Sequence, residues 1–426
     1  MGRSLLLVLL VCALMLAGLA TVNGGVLALA LPIMSYLLLG LWRGPDDVSL
    51  EIERSISTER TSPGMPVVIQ VQVTNQGSEL EELFVEDIIP PGLEVIDGSA
   101  SHVLELKKGG AASWTYAVKG PRGYYVFASM RVTGCDHLGV MIRKRTIPTG
   151  GYLLILPVVM RLKHVAIRPR RTRVYAGTIP ARQGGPGVEF FGVREYQSGD
   201  QTQWINWRAS ARHPQALFSN EFEQERVADV GIVLDGRQHT NLFNDGRSLF
   251  EYSILAAAAL ADSFLTQGNR VSLLLYGHYL DWTLPGYGRI QRERILHALS
   301  RATPGDSLVF SNLAYIPTRL FPAHSQVVLI SPLSPDDLSV LIQLRSRGYQ
   351  VMVISPDPVA FERSYLPQQP AVLQASRIVH LEREIFIKNL QRAGIQVLDW
   401  DVRQPFDKVV QSELRQIPGW LRAVVR

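Results

Sequence analysis

Residues 230–239 read Val230-Gly231-Ile232-Val233-Leu234-Asp235-Gly236-Arg237-Gln238-His239, an apolar run that stops at a carboxylate. A short, continuous apolar run is typical of a strand that is buried on both faces of a sheet. Further runs alternate with helical patterns: strands at 271–276, 326–330, 350–354 and 395–398, and helices at 249–266, 291–301, 335–347 and 382–393. This alternation predicts an α/β domain with a parallel sheet over residues 227–426. Because parallel sheets bind ligands at the carboxyl ends of their strands, the loops that follow these strands are the first candidates for a site.

Residues 46–150 have the two-residue alternation of β-strands instead. Side chains at 67–73 alternate between apolar and polar, and Asn75-Gln76-Gly77-Ser78 predicts a hairpin turn after them. Aromatic and β-branched runs at 114–118 and 124–127 predict further strands. Short strands at roughly ten-residue spacing indicate an immunoglobulin-like β-sandwich. We interpret this module as a spacer, with a binding surface as the alternative.

Residues 1–45 contain two runs without charge, at 5–22 and 26–42, separated by Asn23-Gly24-Gly25. As helices, these runs would each be about 26 Å long, close to the thickness of a hydrocarbon core. They predict a transmembrane helical hairpin whose partner is membrane lipid. The alternative is a signal peptide cut near Gly18-Leu19-Ala20, which would leave the second run as the anchor.

Basic residues flank this hairpin on one side. Arg3 precedes the first run, whereas Arg43, Arg54 and Arg60 follow the second, and the short loop between the runs contains neither Lys nor Arg. The positive-inside rule therefore predicts a multi-pass protein of the cell membrane, with its globular domains in the cytoplasm.

Residues 151–226 are predicted to be a basic connector that leads into a signature segment. Between 161 and 182 there is no acidic residue but there are seven basic ones: Arg161, Lys163, Arg168, Arg170, Arg171, Arg173 and Arg182. They could touch anionic lipid or simply form a solvated linker. The formal net charge of +5 over 426 residues permits an anionic partner without requiring one. We expect no nucleic acid as a partner, because no nucleic-acid-binding module surrounds this run.

The signature segment reads Gly187-Val188-Glu189-Phe190-Phe191-Gly192-Val193-Arg194-Glu195-Tyr196-Gln197-Ser198-Gly199-Asp200, and it continues through Ile205-Asn206-Trp207-Arg208-Ala209-Ser210-Ala211-Arg212. This pattern resembles the domain of unknown function 58 family, whose members occur alongside MoxR-type AAA+ ATPases. The resemblance covers residues 160–360, and the apolar hairpin and β module upstream match the usual layout of the family.

The resemblance implies that the α/β domain is similar to a von Willebrand factor A domain. In its metal-binding form that fold carries Asp-x-Ser-x-Ser after the first strand and an aspartate after the fourth, and hydroxyl and carboxylate oxygens bind Mg²⁺. Here Asp235 is present, but Arg237 and His239 stand at the serine positions and Pro332 follows the later strand.

A guanidinium beside Asp235 opposes a cation, so we predict neither metal nor cofactor at this loop. Two roles for Arg237 stay open: an ion pair with Asp235, or an arginine that is offered to a carboxylate of a partner. A third interpretation is a surface loop that has simply diverged.

Charged and aromatic side chains are concentrated in the signature segment. The candidates for partner binding are Arg194, Glu195, Tyr196, Asp200, Trp207 and Arg212, in addition to Asp235, Arg237 and His239. They could form a recognition groove, since Arg, Tyr and Trp commonly anchor interfaces. The alternative is an internal network of salt bridges that holds an irregular loop.

No catalytic constellation stands out in the sequence. There is no phosphate-binding GxxxxGK[ST] loop, and Ser210 near His213 lacks an orienting third residue. Cys12 and Cys135 suggest neither a disulfide framework nor a metal cluster. We therefore predict a non-enzymatic, membrane-anchored adaptor that binds protein partners. The resemblance implies a MoxR-type AAA+ ATPase as that partner, in the assembly or maturation of envelope or metalloprotein complexes. The alternatives are an envelope-associated hydrolase and a metal-dependent adhesion-type binding protein.

Overall fold

The computed structural model describes residues 3–43, 48–135, 142–163, 165–167, 172–213, 215–244, 246–307, 309–310, 312–367 and 369–414. The chain divides into two compact units, Met1–Leu156 and Pro157–Arg426. The fold is mixed α/β, with several sheets, one of which is mostly parallel.

The first unit begins with two apolar helices, α1 (Arg3–Ala20) and α2 (Gly24–Arg43), as the uncharged runs predict. They pack against each other around Val11 and Leu37. The turn between them is shorter than expected, because Gly24 and Gly25 already belong to α2. The Asn23 side chain explains this early start, since its Oδ1 accepts a hydrogen bond from the Gly25 amide at 2.9 Å and caps the helix.

The described residues of the first unit then form eleven strands: β1 (Leu50–Ile56), β2 (Arg60–Thr61), β3 (Val67–Asn75), β4 (Leu80–Asp87), β5 (Glu94–Gly98), β6 (Ser101–Leu106), β7 (Ala111–Lys119), β8 (Gly123–Val126), β9 (Ser129–Cys135), β10 (Ile142–Pro148) and β11 (Tyr152–Ile155). They form the antiparallel sheets β1-β3-β7-β5 and β10-β9-β4-β6 and a smaller sheet, β2-β11-β8. One apolar core includes side chains from both four-stranded sheets, such as Ile69 and Val132. The predicted β module is therefore present as two packed sheets.

A buried ion pair joins these two sheets. Arg54 of β1 donates to Asp87 of β4 at 2.6 Å, and both side chains are fully buried. Tyr116 donates to the same carboxylate at 2.6 Å, and burial raises the pKa of that phenol. Arg54, counted above among the charges that orient the hairpin, is thus neutralised inside the sandwich.

The second unit contains the remaining elements: β12 (Thr172–Glu195), α3 (Trp207–Ser210), β13 (Phe218–Asp235), β14 (Phe243–Asn244), β15 (Arg247–Ser248), α4 (Leu249–Thr266), β16 (Arg270–Tyr276), β17 (Leu280–Gly286), α5 (Gly288–Arg301), β18 (Gln326–Ile330), α6 (Asp337–Ser346), β19 (Gln350–Pro356), α7 (Pro358–Arg363), α8 (Pro370–Arg392), β20 (Gln396–Trp400) and α9 (Phe406–Glu413). The main sheet has the order β17-β16-β13-β18-β19-β20, and β12 pairs with β13. The pairings among β16, β13, β18, β19 and β20 are parallel, whereas β17 pairs with β16 and β12 pairs with β13 in antiparallel fashion.

Among the predicted segments, the connector at residues 151–226 differs most from what the structure shows. Residues 152–155 are a strand of the first unit, and Thr172–Glu195 forms a long strand with several register shifts along β13. Arg173 and Arg182, interpreted above as part of a solvated linker or a lipid contact, therefore lie within β12, whereas residues 168–171 lie outside the described residues. The physical reason is that β13 starts at Phe218, twelve residues before the predicted strand at Val230, and pairs its backbone with β12.

Helix α4 is the one helix of the described chain that is long and apolar enough, by length and composition, to cross a membrane. It is 72 % buried within the fold, and its alanines pack into the core. α1 and α2 hold shorter apolar stretches, Leu5–Ala20 and Gly24–Leu39.

Candidate functional site

The carboxyl edge of the parallel sheet brings together three ionised side chains. Asp235 is the last residue of β13, Arg237 follows two residues later, and Asp337 is the first residue of α6, which follows β18. β13 and β18 are neighbours that run in parallel, so both strands end at this edge. Arg237 and Asp337, which are 100 residues apart along the chain, are therefore in direct contact.

The Arg237 guanidinium bridges the two carboxylates. Its Nε and Nη2 donate to Asp235 Oδ1 and Oδ2 at 2.9 and 2.7 Å. Its Nη1 and Nη2 donate to Asp337 Oδ1 and Oδ2 at 3.0 and 2.9 Å. The arginine side chain is only 3 % exposed and both aspartates are fully buried. We call this group the buried triad.

Neutral donors complete the shell of the buried triad. Ser331, directly after β18, donates its hydroxyl to Asp235 Oδ2 at 2.6 Å, and Thr240 donates to the same oxygen at 3.3 Å. The Ser334 amide donates to Asp337 Oδ2 at 2.8 Å. The loop between β18 and α6 is therefore fastened to β13 through charged and neutral hydrogen bonds alike.

The electrostatics of the triad follow from burial and pairing. Burial alone would lower the pKa of Arg237, but the hydrogen bonds that it donates to Asp235 and Asp337, and the negative charges of both, outweigh burial and raise that pKa. Burial raises the pKa of Asp337, against the opposing effect of the guanidinium. One arginine thus serves two carboxylates, and its charge is fixed at every physiological pH.

Of the two roles proposed for Arg237, the ion pair with Asp235 is confirmed and the arginine offered to a partner is wrong. The guanidinium has no exposed face, because both carboxylates and the fold enclose it. His239 lies beside it along the chain but is exposed on a short 3₁₀ helix.

Asp337 was missed in the sequence because only Ser331 and Pro332, the two residues after β18, were considered. Pro332 occupies the position where an aspartate was sought, whereas the carboxylate comes from the start of the next helix. The available signal was the pair Asp336-Asp337 before a helical pattern, since acidic residues favour the first turn of a helix.

The signature segment forms its own local network. Arg194 of β12 binds Asp200 through two hydrogen bonds, at 2.8 and 2.6 Å, and lies 3.7 Å from Glu221 of β13. Asp200 also accepts from the Gln197 amide at 2.9 Å. The guanidinium holds the pKa of this carboxyl below its usual range. For Arg194 and Asp200, the geometry matches the internal salt-bridge network rather than a free recognition groove.

Trp207, Glu195 and Arg212 remain exposed in the same segment. Trp207 begins α3 and is 69 % exposed. The turn that presents it is rigid, because Asn206 caps α3 by accepting from the Ala209 amide and binds Asn220 of β13 at 2.7 Å. Tyr196 is half-buried, and its hydroxyl lies 3.4 Å from the Asp200 carbonyl.

The two groups of candidate residues are not brought together. Glu221 and Asp235 lie on the same strand, fourteen residues apart, which corresponds to about 45 Å of extended chain. The signature segment and the buried triad are therefore separate sites on β13.

The geometry around Ser210 is that of a structural hydroxyl. Its Oγ donates to the Asn206 carbonyl at 2.9 Å and accepts from the Phe218 amide at 2.9 Å. The ring of His213 contacts Phe218 instead. Both hydrogen-bonding roles of Ser210 are thus engaged with backbone.

The fold and this geometry define a class of protein: an α/β domain with a mostly parallel sheet and a buried guanidinium at the carboxyl ends of its strands. Residues 192–359 match the family model described as "Protein of unknown function DUF58". The resemblance read from the signature segment is thereby confirmed.

One curated relative is the "Uncharacterized protein YeaD" of Bacillus subtilis (strain 168). It is 27 % identical over 200 residues, which cover 46 % of this chain and 48 % of the relative. This chain thus matches about half of the length of that relative.

Among solved structures, the CARDB domain of the PF1109 protein from Pyrococcus furiosus matches with a TM-score of 0.18 and 12 % identity, over 25 % of this chain and 88 % of that one. The cupredoxin domain of amoB from Nitrosocaldus yellowstonii also has a TM-score of 0.18, with 10 % identity over 25 % of this chain and 86 % of that one.

Proposed function

We propose that this protein is a membrane-anchored, non-enzymatic adaptor that binds a protein partner through its α/β domain. The domain is interpreted as von Willebrand factor A-like, and its expected partner is a MoxR-type AAA+ ATPase that works in assembly or maturation of envelope or metalloprotein complexes. The observation that carries the proposal is Trp207, a large aromatic side chain that a capped helix holds 69 % exposed within the matched region.

The energetics of interfaces support this assignment. Trp and Arg are the residues that most often dominate binding energy, and they do so best when their conformation is fixed before binding. Trp207 stands on a turn fastened to β13, and Arg212 is exposed five residues further on. A preorganised aromatic beside a guanidinium suits a partner surface that offers an apolar pocket with a carboxylate at its rim.

The buried triad supports a metal-independent role for the sheet edge. A guanidinium supplies the permanent positive charge between two carboxylates, so the loop after β18 is organised without a cation. The hydroxyl of Ser210 is held by backbone groups, which disfavours the alternative of a Ser–His hydrolase.

The adaptor proposal is tested by co-purification. We expect the full chain to retain an AAA+ ATPase, identified by mass spectrometry, and the Trp207→Ala variant to weaken the complex by more than 2 kcal/mol, about thirtyfold. Phe243→Ala is the matched control, because Phe243 is equally exposed, at 72 %, on another part of the same unit. Equal retention by Trp207→Ala and wild type, or turnover of a hydrolase substrate that Ser210→Ala abolishes, would count against the adaptor.

The apolar surface of the first two helices supports the membrane anchor. Leucines on both helices remain exposed, among them Leu16 at 69 % and Leu29 at 61 %. Two helices alone cannot bury these side chains in water, whereas a bilayer solvates them. The proposal is that α1 and α2 lie in the cell membrane as a multi-pass hairpin, with the remaining chain in the cytoplasm.

A prediction about location follows from this hairpin. We expect the full chain to remain in the membrane fraction after an alkaline wash, and deletion of residues 3–43 to release it. For orientation, a cysteine placed at the exposed Glu79, in a background with Cys12 and Cys135 replaced by serine, should react with an impermeant maleimide only after cells are opened. Labelling of intact cells would place the globular domains outside and contradict the prediction.

A further inference from the structure

A cavity lies where the parallel strands β19 and β20 end. These two strands form the side of the sheet that is farther from the signature segment in the strand order. Helices α7 and α8 cover the cavity, and its volume is about 560 Å³. This is the size of many small-molecule sites, and the carboxyl ends of parallel strands are the usual place for them. We call it the edge cavity.

The carboxylates of the edge cavity are already paired. Arg383 of α8, which is 9 % exposed, donates to Asp399 at 2.7 Å and lies 3.5 Å from Asp357. It also donates to the Ser355 hydroxyl at 2.8 Å, so its position is fixed. Arg403 forms an ion pair with Asp401, in which its Nη2 donates to Asp401 Oδ2 at 2.6 Å. The three carboxylates therefore share two guanidinium partners, which leaves one negative charge of the wall unbalanced.

Two further arginines give these side chains a formal excess of one positive charge. Arg363, the last residue of α7, and Arg377 and His380 on one side of α8 all line the edge cavity. Within the described part of the chain, neither arginine has a carboxylate within ion-pair distance. Two guanidinium groups that line one concave surface, neither of them with a carboxylate partner of its own among the described residues, attract an anion.

The residues around the two arginines indicate which class of anion the edge cavity suits. Guanidinium forks match the oxygens of phosphate bidentately, and two such groups suit a dianion better than a monoanion. Val359, Ala360 and Leu381 add an apolar wall to the same cavity. The paired aspartates keep free lone pairs that can accept from hydroxyl or amino groups. We propose that the edge cavity binds a small organic phosphate, with Arg363 and Arg377 on the phosphate group and the apolar wall against its organic part.

The test uses phenyl phosphate as the probe, titrated by calorimetry into the full chain held in nanodiscs of neutral phosphatidylcholine. We expect saturable binding with a Kd below about 1 mM, weaker binding of phenylsulfonate because it is a monoanion, and no binding of phenol. The Arg363→Ala and Arg377→Ala variants should each lose at least about tenfold in affinity.

Arg392→Ala is the matched control, because Arg392 is exposed on α8 but does not line the cavity. The affinity of this variant for phenyl phosphate should equal that of the wild type. A second arm adds phosphatidic acid to the nanodiscs. Weaker binding of the probe there assigns the site to a lipid headgroup, and equal binding assigns it to a soluble phosphate. No saturable binding below about 1 mM, or equal losses in Arg392→Ala and the cavity variants, would overturn the proposal.

Discussion

Replacement of Arg237 by methionine is expected to lower the free energy of unfolding of the second unit by about 3–5 kcal/mol, because it leaves Asp235 and Asp337 buried without a counter-charge. Methionine keeps much of the side-chain volume, so the loss reports charge rather than a cavity. For a unit of this size, such a loss lowers the midpoint of thermal unfolding by roughly 10 °C. The measurement is a thermal melt of the full chain, followed by a probe in the second unit.

The stability that Arg237→Met loses should depend on pH. Burial raises the pKa of Asp337 already in the wild type, and loss of the guanidinium removes the main opposing effect, so the folded state of the variant favours the protonated form of Asp337. Stability of the variant is then retained below the unfolded pKa, about 4, and is lost as pH rises. The deficit relative to wild type should therefore be largest at neutral pH and narrow in acid.

Arg392→Ala removes an exposed arginine from the same unit and should change stability by less than about 0.5 kcal/mol. A deficit for Arg237→Met no larger than that of this control would contradict the role assigned to the buried triad. So would a deficit that stays constant between neutral and acid pH.

Replacement of Arg237 by serine is expected to create a site for Mg²⁺ that the wild type lacks. In the wild type, one oxygen of Asp235 and one of Asp337 lie 2.7 and 2.9 Å from the same guanidinium nitrogen, Nη2. Mg²⁺ prefers oxygen ligands at about 2.1 Å, so the two carboxylates need to close in by roughly 0.6–0.8 Å. The Ser331 hydroxyl already reaches Asp235, and the new serine adds a further oxygen.

The readout is the melting midpoint with and without MgCl₂ at matched ionic strength. Ligand at a hundred times its Kd stabilises the folded state by about 2.7 kcal/mol, which should offset much of the loss caused by the substitution. Wild type should show no such response, because its guanidinium occupies the position of the cation. The control is Arg237→Ser combined with Asp337→Asn, which removes one anionic ligand and should not respond. Absence of a Mg²⁺ effect in the single variant would show that the two carboxylates cannot converge on an ion.

Much of the architecture could be predicted because local patterns of apolar and polar residues determine it. The strands of the parallel sheet are apolar runs, since they are buried on both faces. The strand Val67–Asn75 alternates, since one face of it lies in the sandwich core. The long strand β12 was not predicted, because its pairing with β13 has irregular register and leaves no regular alternation in the sequence.

The candidate site was predictable only where its members are close in sequence. Asp235 and Arg237 are two residues apart, so an ion pair between them could be proposed from the loop alone. The arginines of the edge cavity, by contrast, lie on two helices, and nothing local links Arg363 to Arg377.

The sequence by itself determined the uncharged N-terminal runs, the succession of β module and α/β domain, the family signature and the arginine that stands where a hydroxyl ligand would be needed. Only the tertiary structure decided that this arginine is enclosed and that Asp337 is its second partner. The reason is that hydrophobic periodicity and turn chemistry act between near neighbours. A buried charge instead takes its partners from whichever strands and helices the sheet brings to the same edge.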